Sequence, residues 1–246
     1  MVITSLENEK VKELTKLQQK KVRDETGTYL VEGEHLVEEA YKNQDMIEII
    51  ALEDVSVSYD VPVLYVKKEV MKKISSLDNP PRMMALCKKR EYKEIVGERI
   101  ILLDGIQDPG NLGTMIRSSL AFGVDSIILS PNCVDLYNPK VLRGTQGMVF
   151  HIPILIMDTQ EAIRYMNDCH IPVYGTSVVN GVDAATLSEE EKKRFCLIMG
   201  NEGSGLSNEV LSLCDKHLYI PMNEQVESLN VGVACSILLY ELRRMI

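Results

Sequence analysis

The chain has 246 residues, 45% hydrophobic and 26% charged, with a formal net charge of −9. That length holds one large domain or two modest ones, and the composition is that of an ordinary globular protein. The acidic balance excludes indiscriminate nucleic-acid binding, no run is long enough to cross a bilayer as a helix, and the opening MVITSLENEK lacks the apolar core of a signal peptide, so a cytoplasmic protein is expected.

Residues 5–22 predict a helix, with Leu6, Val11, Leu14 and Leu17 on one stripe and basic residues mostly off it. A short strand follows (Tyr29–Val31), then a Glu-Gly turn and a second helix. Strands are expected at Met46–Leu52 and Val61–Val66, then a Lys-rich helix near 67–76, a turn at DNPPR, and a strand over MMALCKK. This alternation makes a small α/β unit of residues 1–90. Its charges are nearly balanced, but the lysines cluster (Lys10, Lys12, Lys16, Lys20, Lys21; Lys67, Lys68, Lys72, Lys73), which fits either RNA contact or a solvated helix face.

The polar stretch at 91–98 reads as a linker, and a second α/β alternation occupies 99–246. Strands are expected at Ile100–Leu103, Ser126–Leu129, Val149–Ile152, Val173–Gly175, Cys196–Met199 and Leu218–Ile220. Helices are expected near 112–122, 138–144, 159–168, 207–214 and 229–244, giving a parallel sheet covered on both faces. The six cysteines form no C-x-x-C pair and read as buried free thiols, and the four histidines have no metal spacing.

Three loops in this second part share one grammar. LLDGIQDPGNLGTMIR, LIMGNEGSGL and YIPMNEQVESLNV each run from an apolar strand into a turn rich in Gly, Asn, Glu or Ser. Such loops gather at the carboxyl edge of a parallel sheet, where ligands bind. Taken singly, Asn111 is a turn residue, Ser228 a helix cap and Glu202 a carboxylate capping the helix that follows it. Taken together, they predict one site.

On these motifs the chain resembles the SpoU (TrmH-like) family of RNA ribose 2′-O-methyltransferases, in the SPOUT superfamily. Asn111 and Arg117 match its first motif, the turn GNEGSGL with Glu202 its second, and Ile220-Pro221-Met222 with Ser228-Leu229-Asn230-Val231 its third. The opening basic helix followed by Tyr29-Leu30-Val31-Glu32-Gly33 is similar to the family's RNA-binding domain, of L30e-like fold. The resemblance implies an L30e-like domain at 1–90, a linker at 91–98 and a SPOUT methyltransferase domain with a C-terminal trefoil knot at 99–246. It also implies a homodimer, S-adenosylmethionine as cofactor and structured RNA, most of all 23S rRNA, as substrate, with no metal and no membrane. A tRNA methyltransferase and a non-catalytic RNA-binding protein of ribosome assembly are the alternatives.

By the same resemblance, Asn111, Arg117, Glu202, Ser228 and Asn230 form the catalytic set, and Thr176, Gly200, Ile220, Met222 and Leu229 meet the cofactor. Gly200, Gly203 and Gly205 would let backbone approach that cofactor closely. A guanidinium stays protonated, so Arg117 suits an RNA phosphate beside the target ribose better than proton abstraction. One departure stands out: Glu224 occupies a position where the family usually has Gly, and strain is expected there if φ is positive.

Overall fold

The computed structural model describes residues 2–178 and 181–243. Through residue 91 the elements run β1 (Val2–Ile3), α1 (Glu9–Lys16), α2 (Lys20–Thr26), β2 (Thr28–Glu32), α3 (Glu34–Lys42), β3 (Met46–Leu52), β4 (Val63–Val66), α4 (Lys68–Ile74) and β5 (Met83–Lys88). Then come β6 (Arg99–Leu103), α5 (Pro109–Ala121), β7 (Ser126–Leu129), α6 (Pro139–Thr145), β8 (Ile154–Ile156), α7 (Thr159–Asp168) and β9 (Val173–Thr176). The last elements are β10 (Val182–Asp183), β11 (Phe195–Met199), α8 (Asn208–Ser212), β12 (Lys216–Tyr219) and α9 (Val231–Leu242). The chain divides into two units: the first joins residues up to Glu91 with Asp135–His151, and the second joins Tyr92–Val134 with Ile152 onward.

The first unit is built on a five-stranded sheet in the order β1-β4-β3-β5-β2, with β5 antiparallel to both neighbours. Val11, Leu14 and Leu17 of the first helical stretch pack with Val70, Met71 and Ile74 of α4 over Leu30, Ile50 and Met84. The single helix expected over 5–22 is two helices instead. Its break has a physical cause. The buried Arg23 donates to the carbonyls of Leu17, the C-cap of α1, and Gln18 at 2.7 and 2.9 Å, which holds the break between α1 and α2. Gln18 then turns outward to cap α4 through the carbonyls of Ile74 and Ser75.

Residues 135–151 depart from the expected boundary at 99, because they belong with the first unit. Asp135 ion-pairs with Arg23, the rings of Tyr137 and Tyr29 meet tilted at 43° with centroids 4.4 Å apart, and His151 meets Glu39 at 2.6 Å. No strand forms at Val149–Ile152. Gln146 and Gly147 both have positive φ, and Met148–Phe150 closes as a single 3₁₀ turn, so the extended run starts later, at Ile154.

The second unit holds a seven-stranded sheet in the order β10-β12-β9-β11-β6-β7-β8, with every pairing parallel. Every residue of β6 and of β11 is buried, as a strand covered on both faces requires. Ile100, Leu102, Cys196 and Ile198 pack against Ala162, Ile163 and Met166 of α7 and Val210 of α8. The helices α5 and α9 pack on each other, linked by a 2.7 Å hydrogen bond between Ser118 and Ser236. Arg99 is buried and donates to the carbonyls of Phe122 and Leu242, so one side chain serves the C-terminal ends of both helices. The α9 helix is shorter than the expected 229–244, and residue 244 lies outside the described residues. All six cysteines are free; Cys87, Cys196 and Cys235 are buried, whereas Cys169 is exposed.

Candidate active site

The first loop owes its shape to the dipeptide Asp108-Pro109. Asp108 accepts hydrogen bonds from the amides of Gly110 and Asn111 at 2.8 and 3.0 Å, and Pro109 fills the first helical position, where no N–H is needed. Together they fix the start of α5 and the place of Asn111.

The second loop follows β11. Asn201 ties it down: its Oδ1 accepts from the amides of Gly203 and Ser204, and its Nδ2 donates to the carbonyl of Gly105 at 2.8 Å. Gly200 is packed so closely that a Cβ there would lie 2.4 Å from the carbonyl carbon of Gly205, backbone against backbone. Gly205 needs its positive φ of 65°, while Gly203 has ordinary space around it. Within the protein itself, then, Gly200 is the one of these three glycines where backbone packs against backbone.

Glu202 does not cap the helix that follows it. It reaches back to α5 and accepts from the amides of Asp108 (2.9 Å) and Gln107 (3.1 Å) and from Asn111 Nδ2 (3.2 Å). Burial pushes its carboxyl up, but these hydrogen bonds outweigh burial and hold it below the usual glutamate range. A carboxylate only accepts, so the amide of Asn111 must turn its nitrogen toward Glu202 and its oxygen away.

That oxygen faces the third loop. Asn230 Nδ2 donates to Asn111 Oδ1 at 2.9 Å. Asn230, not Ser228, caps α9, accepting from Gly232 and Val233 amides at 3.0 and 3.2 Å. Glu202, Asn111 and Asn230 thus form one relay across all three loops. Ser228 is exposed, with no hydrogen bond among the described residues. Arg117, within two turns of Asn111 on α5, is also exposed and makes no hydrogen bond or ion pair among the described residues.

Beside the relay lies a cavity of about 430 Å³. Its walls come from the segment after β9, the second loop, residues 218–222, residues 227–229 and the inner face of α9. It takes in Thr176, Gly200, Ile220, Met222 and Leu229, and also Glu202 and Ser228. Asn111, Asn230 and Arg117 do not line it. Thr176 donates its hydroxyl to the carbonyl of Ile198 at 3.0 Å. Glu224 is not among the non-glycine residues with positive φ; it sits in a turn closed by Val226 N–H to Asn223 C=O at 2.9 Å, so the expected strain is absent. Among the described residues no group of three or more His, Cys, Asp or Glu side chains could hold a metal ion.

Asp108 and Asn201 were not among the expected site residues, though both shape it. The signal for Asp108 was Asp directly before Pro at a helix start. For Asn201 it was Asn two residues ahead of a Gly, a pattern in which a side-chain oxygen closes an Asx turn.

The model of the SpoU rRNA Methylase family matches residues 98–240, and that of the MRM3-like substrate binding domain matches residues 8–85. The 23S rRNA (guanosine(2553)-2′-O)-methyltransferase RlmP of Bacillus subtilis (strain 168) is 38% identical, over 98% of each protein. The AdoMet-bound rRNA methyltransferase from Sinorhizobium meliloti superposes with a TM-score of 0.88 at 33% identity, over 98% of this chain and 97% of that one. The SpoU methyltransferase AviRb from Streptomyces viridochromogenes shares the fold, with a TM-score of 0.86 at 23% identity over 96% and 97% of the two chains.

Proposed function

The chain belongs to the SpoU rRNA Methylase family, and on that premise we propose that it transfers a methyl group from S-adenosylmethionine to a ribose 2′-hydroxyl of 23S rRNA. The observation that carries this reading is the Glu202–Asn111–Asn230 relay, which fastens three separate loops beside one cavity. The relative RlmP, similar over nearly its whole length, bears an rRNA 2′-O-methyltransferase name, which supports the substrate class.

The cavity suits the donor. Pockets of about 300–1,000 Å³ hold ligands of this size. Leu218, Ile220, Leu229 and Leu238 give apolar surface for an adenine ring, and the Gly200–Gly205 turn offers backbone amides and carbonyls for its edge. When bound, S-adenosylmethionine supplies an electrophilic methyl group. The protein's share is to hold the acceptor oxygen in line with it and to stabilise charge as the hydroxyl proton leaves.

Arg117 is free to grip the phosphate beside the target ribose, bidentate as guanidinium allows. Because it is always protonated, it stabilises charge rather than taking the proton. The unengaged hydroxyl of Ser228 is available to the ribose. Glu202 and Asn230 orient Asn111 from either side. In the first unit, Lys16, Lys20, Lys72 and Lys73 are exposed and have no ion pair among the described residues, which fits an RNA-holding face. The trefoil knot, the homodimer, the L30e-like reading of the first unit and a cytoplasmic location belong to the same proposal.

The test is mass mapping of ribose methylation in total RNA from a strain lacking this gene and from its parent. Loss of one 23S rRNA methylation supports the reading. Intact rRNA with a missing tRNA methylation moves the substrate class to tRNA, and no change at all favours a non-catalytic RNA binder.

A further inference from the structure

Two of the residues lining the cavity among the described residues are ionisable acids, Glu202 and Glu227. Among the described residues, no Lys, Arg or His lines it. Their situations differ. Glu202 is engaged by the amides of Gln107 and Asp108 and by Asn111, so its charge faces the start of α5. Glu227 has no hydrogen bond or ion pair among the described residues. It sits next to Ser228, exposed, in the segment that lines the cavity and leads into α9.

The two nucleosides that the reaction must exchange differ by one charge. The methyl donor carries a sulfonium and an ammonium against one carboxylate and is a net monocation. The product left after methyl transfer is a thioether with the same amino-acid end and is net neutral. Shape hardly separates them, since they differ by a methyl group. Charge does separate them, and a cavity lined among the described residues by two acidic residues and no basic one interacts differently with the two.

We propose that Glu227 is a specificity-determining residue that favours the cationic donor over the neutral product in this cavity. The proposal rests on the reading of the cavity as the donor site. It requires the charge of Glu227, not its size or its hydrogen bonds. Because Glu227 is exposed, the preference is screened by salt and modest in size.

The experiment is calorimetric titration of the wild type, Glu227→Gln and Glu227→Asp, each with S-adenosylmethionine and with S-adenosylhomocysteine. In Glu227→Gln the donor is expected to bind about fivefold more weakly, with product affinity within about twofold of wild type. Glu227→Asp keeps the charge and is expected to keep the wild-type ratio of the two affinities. Sinefungin, which carries a protonated amine where the donor carries its methyl group, should follow the donor. Raising salt from about 0.05 to 0.5 M should weaken donor more than product in the wild type, a readout that does not depend on any variant folding. Equal weakening of both ligands in Glu227→Gln, or no change in either, overturns the proposal. If the wild type binds neither nucleoside, the reading of the cavity falls first, and this inference with it.

Discussion

Asn230 holds two helices at once: its Oδ1 caps α9 while its Nδ2 donates to Asn111 Oδ1 on α5 at 2.9 Å. The first bond is structural and the second aligns the site, and one substitution separates them. In Asn230→Asp the cap survives, since a carboxylate accepts from the same two amides and is favoured at a helix N-terminus. The donor to Asn111 is lost. If Asn111 flips to offer its nitrogen to the new carboxylate, its oxygen then faces Glu202, so the relay is never satisfied at both ends. Methyl-transfer kcat/KM is expected to fall about tenfold or more, while urea unfolding shows a change within about 1 kcal/mol. Loss of stability in step with activity would contradict this division of labour.

Glu202 makes stability depend on pH with a defined sign. Its carboxyl is held below the usual glutamate range in the folded protein. It therefore contributes stability above the unfolded value, near pH 4.3, and that contribution is lost as pH falls through the folded value. Unfolding midpoints of wild type and Glu202→Gln should differ most at neutral pH, with wild type the more stable, and converge as pH falls below about 4.3. A gap that widened on acidification would reverse the assignment.

The second loop predicts a contrast between neighbouring glycines. A Cβ at Gly200 would overlap the backbone of Gly205 and Leu206, which cannot swing aside as a side chain can. Gly200→Ala should therefore destabilise by about 1–3 kcal/mol and abolish measurable donor binding. At Gly203 the nearest atom to a Cβ is Asn201 Oδ1 at 3.6 Å, so Gly203→Ala should leave both within error. Thermal melts and calorimetry on the pair test this directly.

In the first unit, Arg23 and Asp135 form an ion pair whose side chains are 4% and 11% exposed. Removing one partner leaves a buried charge without its counterpart, so Asp135→Asn should cost about 3 kcal/mol, read by urea unfolding. The loss should appear in the first unit, because residues 135–151 belong to it.

Much of this was legible in the amino-acid order. The strands Met46–Leu52 and Ser126–Leu129 and the helix over 159–168 stand where their apolar patterns put them, because each lies on a face that periodicity reports directly. The three loops were legible for a different reason: each turn carries side chains that no core position wants. What could not be read depends on distant partners. The break between α1 and α2 is held by Arg23, and Asp135 pairs with a residue more than a hundred positions earlier. The run from Val149 to Ile156 is apolar but for His151 and Pro153, and the positive φ of Gln146 and Gly147 with the 3₁₀ turn at Met148–Phe150 delays the strand to Ile154. The strands β1 and β10 are two residues each, too short for any period to show. Glu202 turning back to α5 instead of capping forward likewise follows from tertiary contact alone.

The central claim is that these loops present a methyl donor to a sugar oxygen of ribosomal RNA. It is tested most directly by incubating the protein with methyl-labelled S-adenosylmethionine and 23S rRNA from a strain lacking the gene, then digesting the RNA in alkali. Alkaline cleavage needs a free 2′-hydroxyl, so the account predicts label in a single alkali-resistant dinucleotide, reduced at least a hundredfold with Arg117→Ala. Label released on an ordinary mononucleotide, which marks a methylated base, or transfer that Arg117→Ala leaves intact would contradict it.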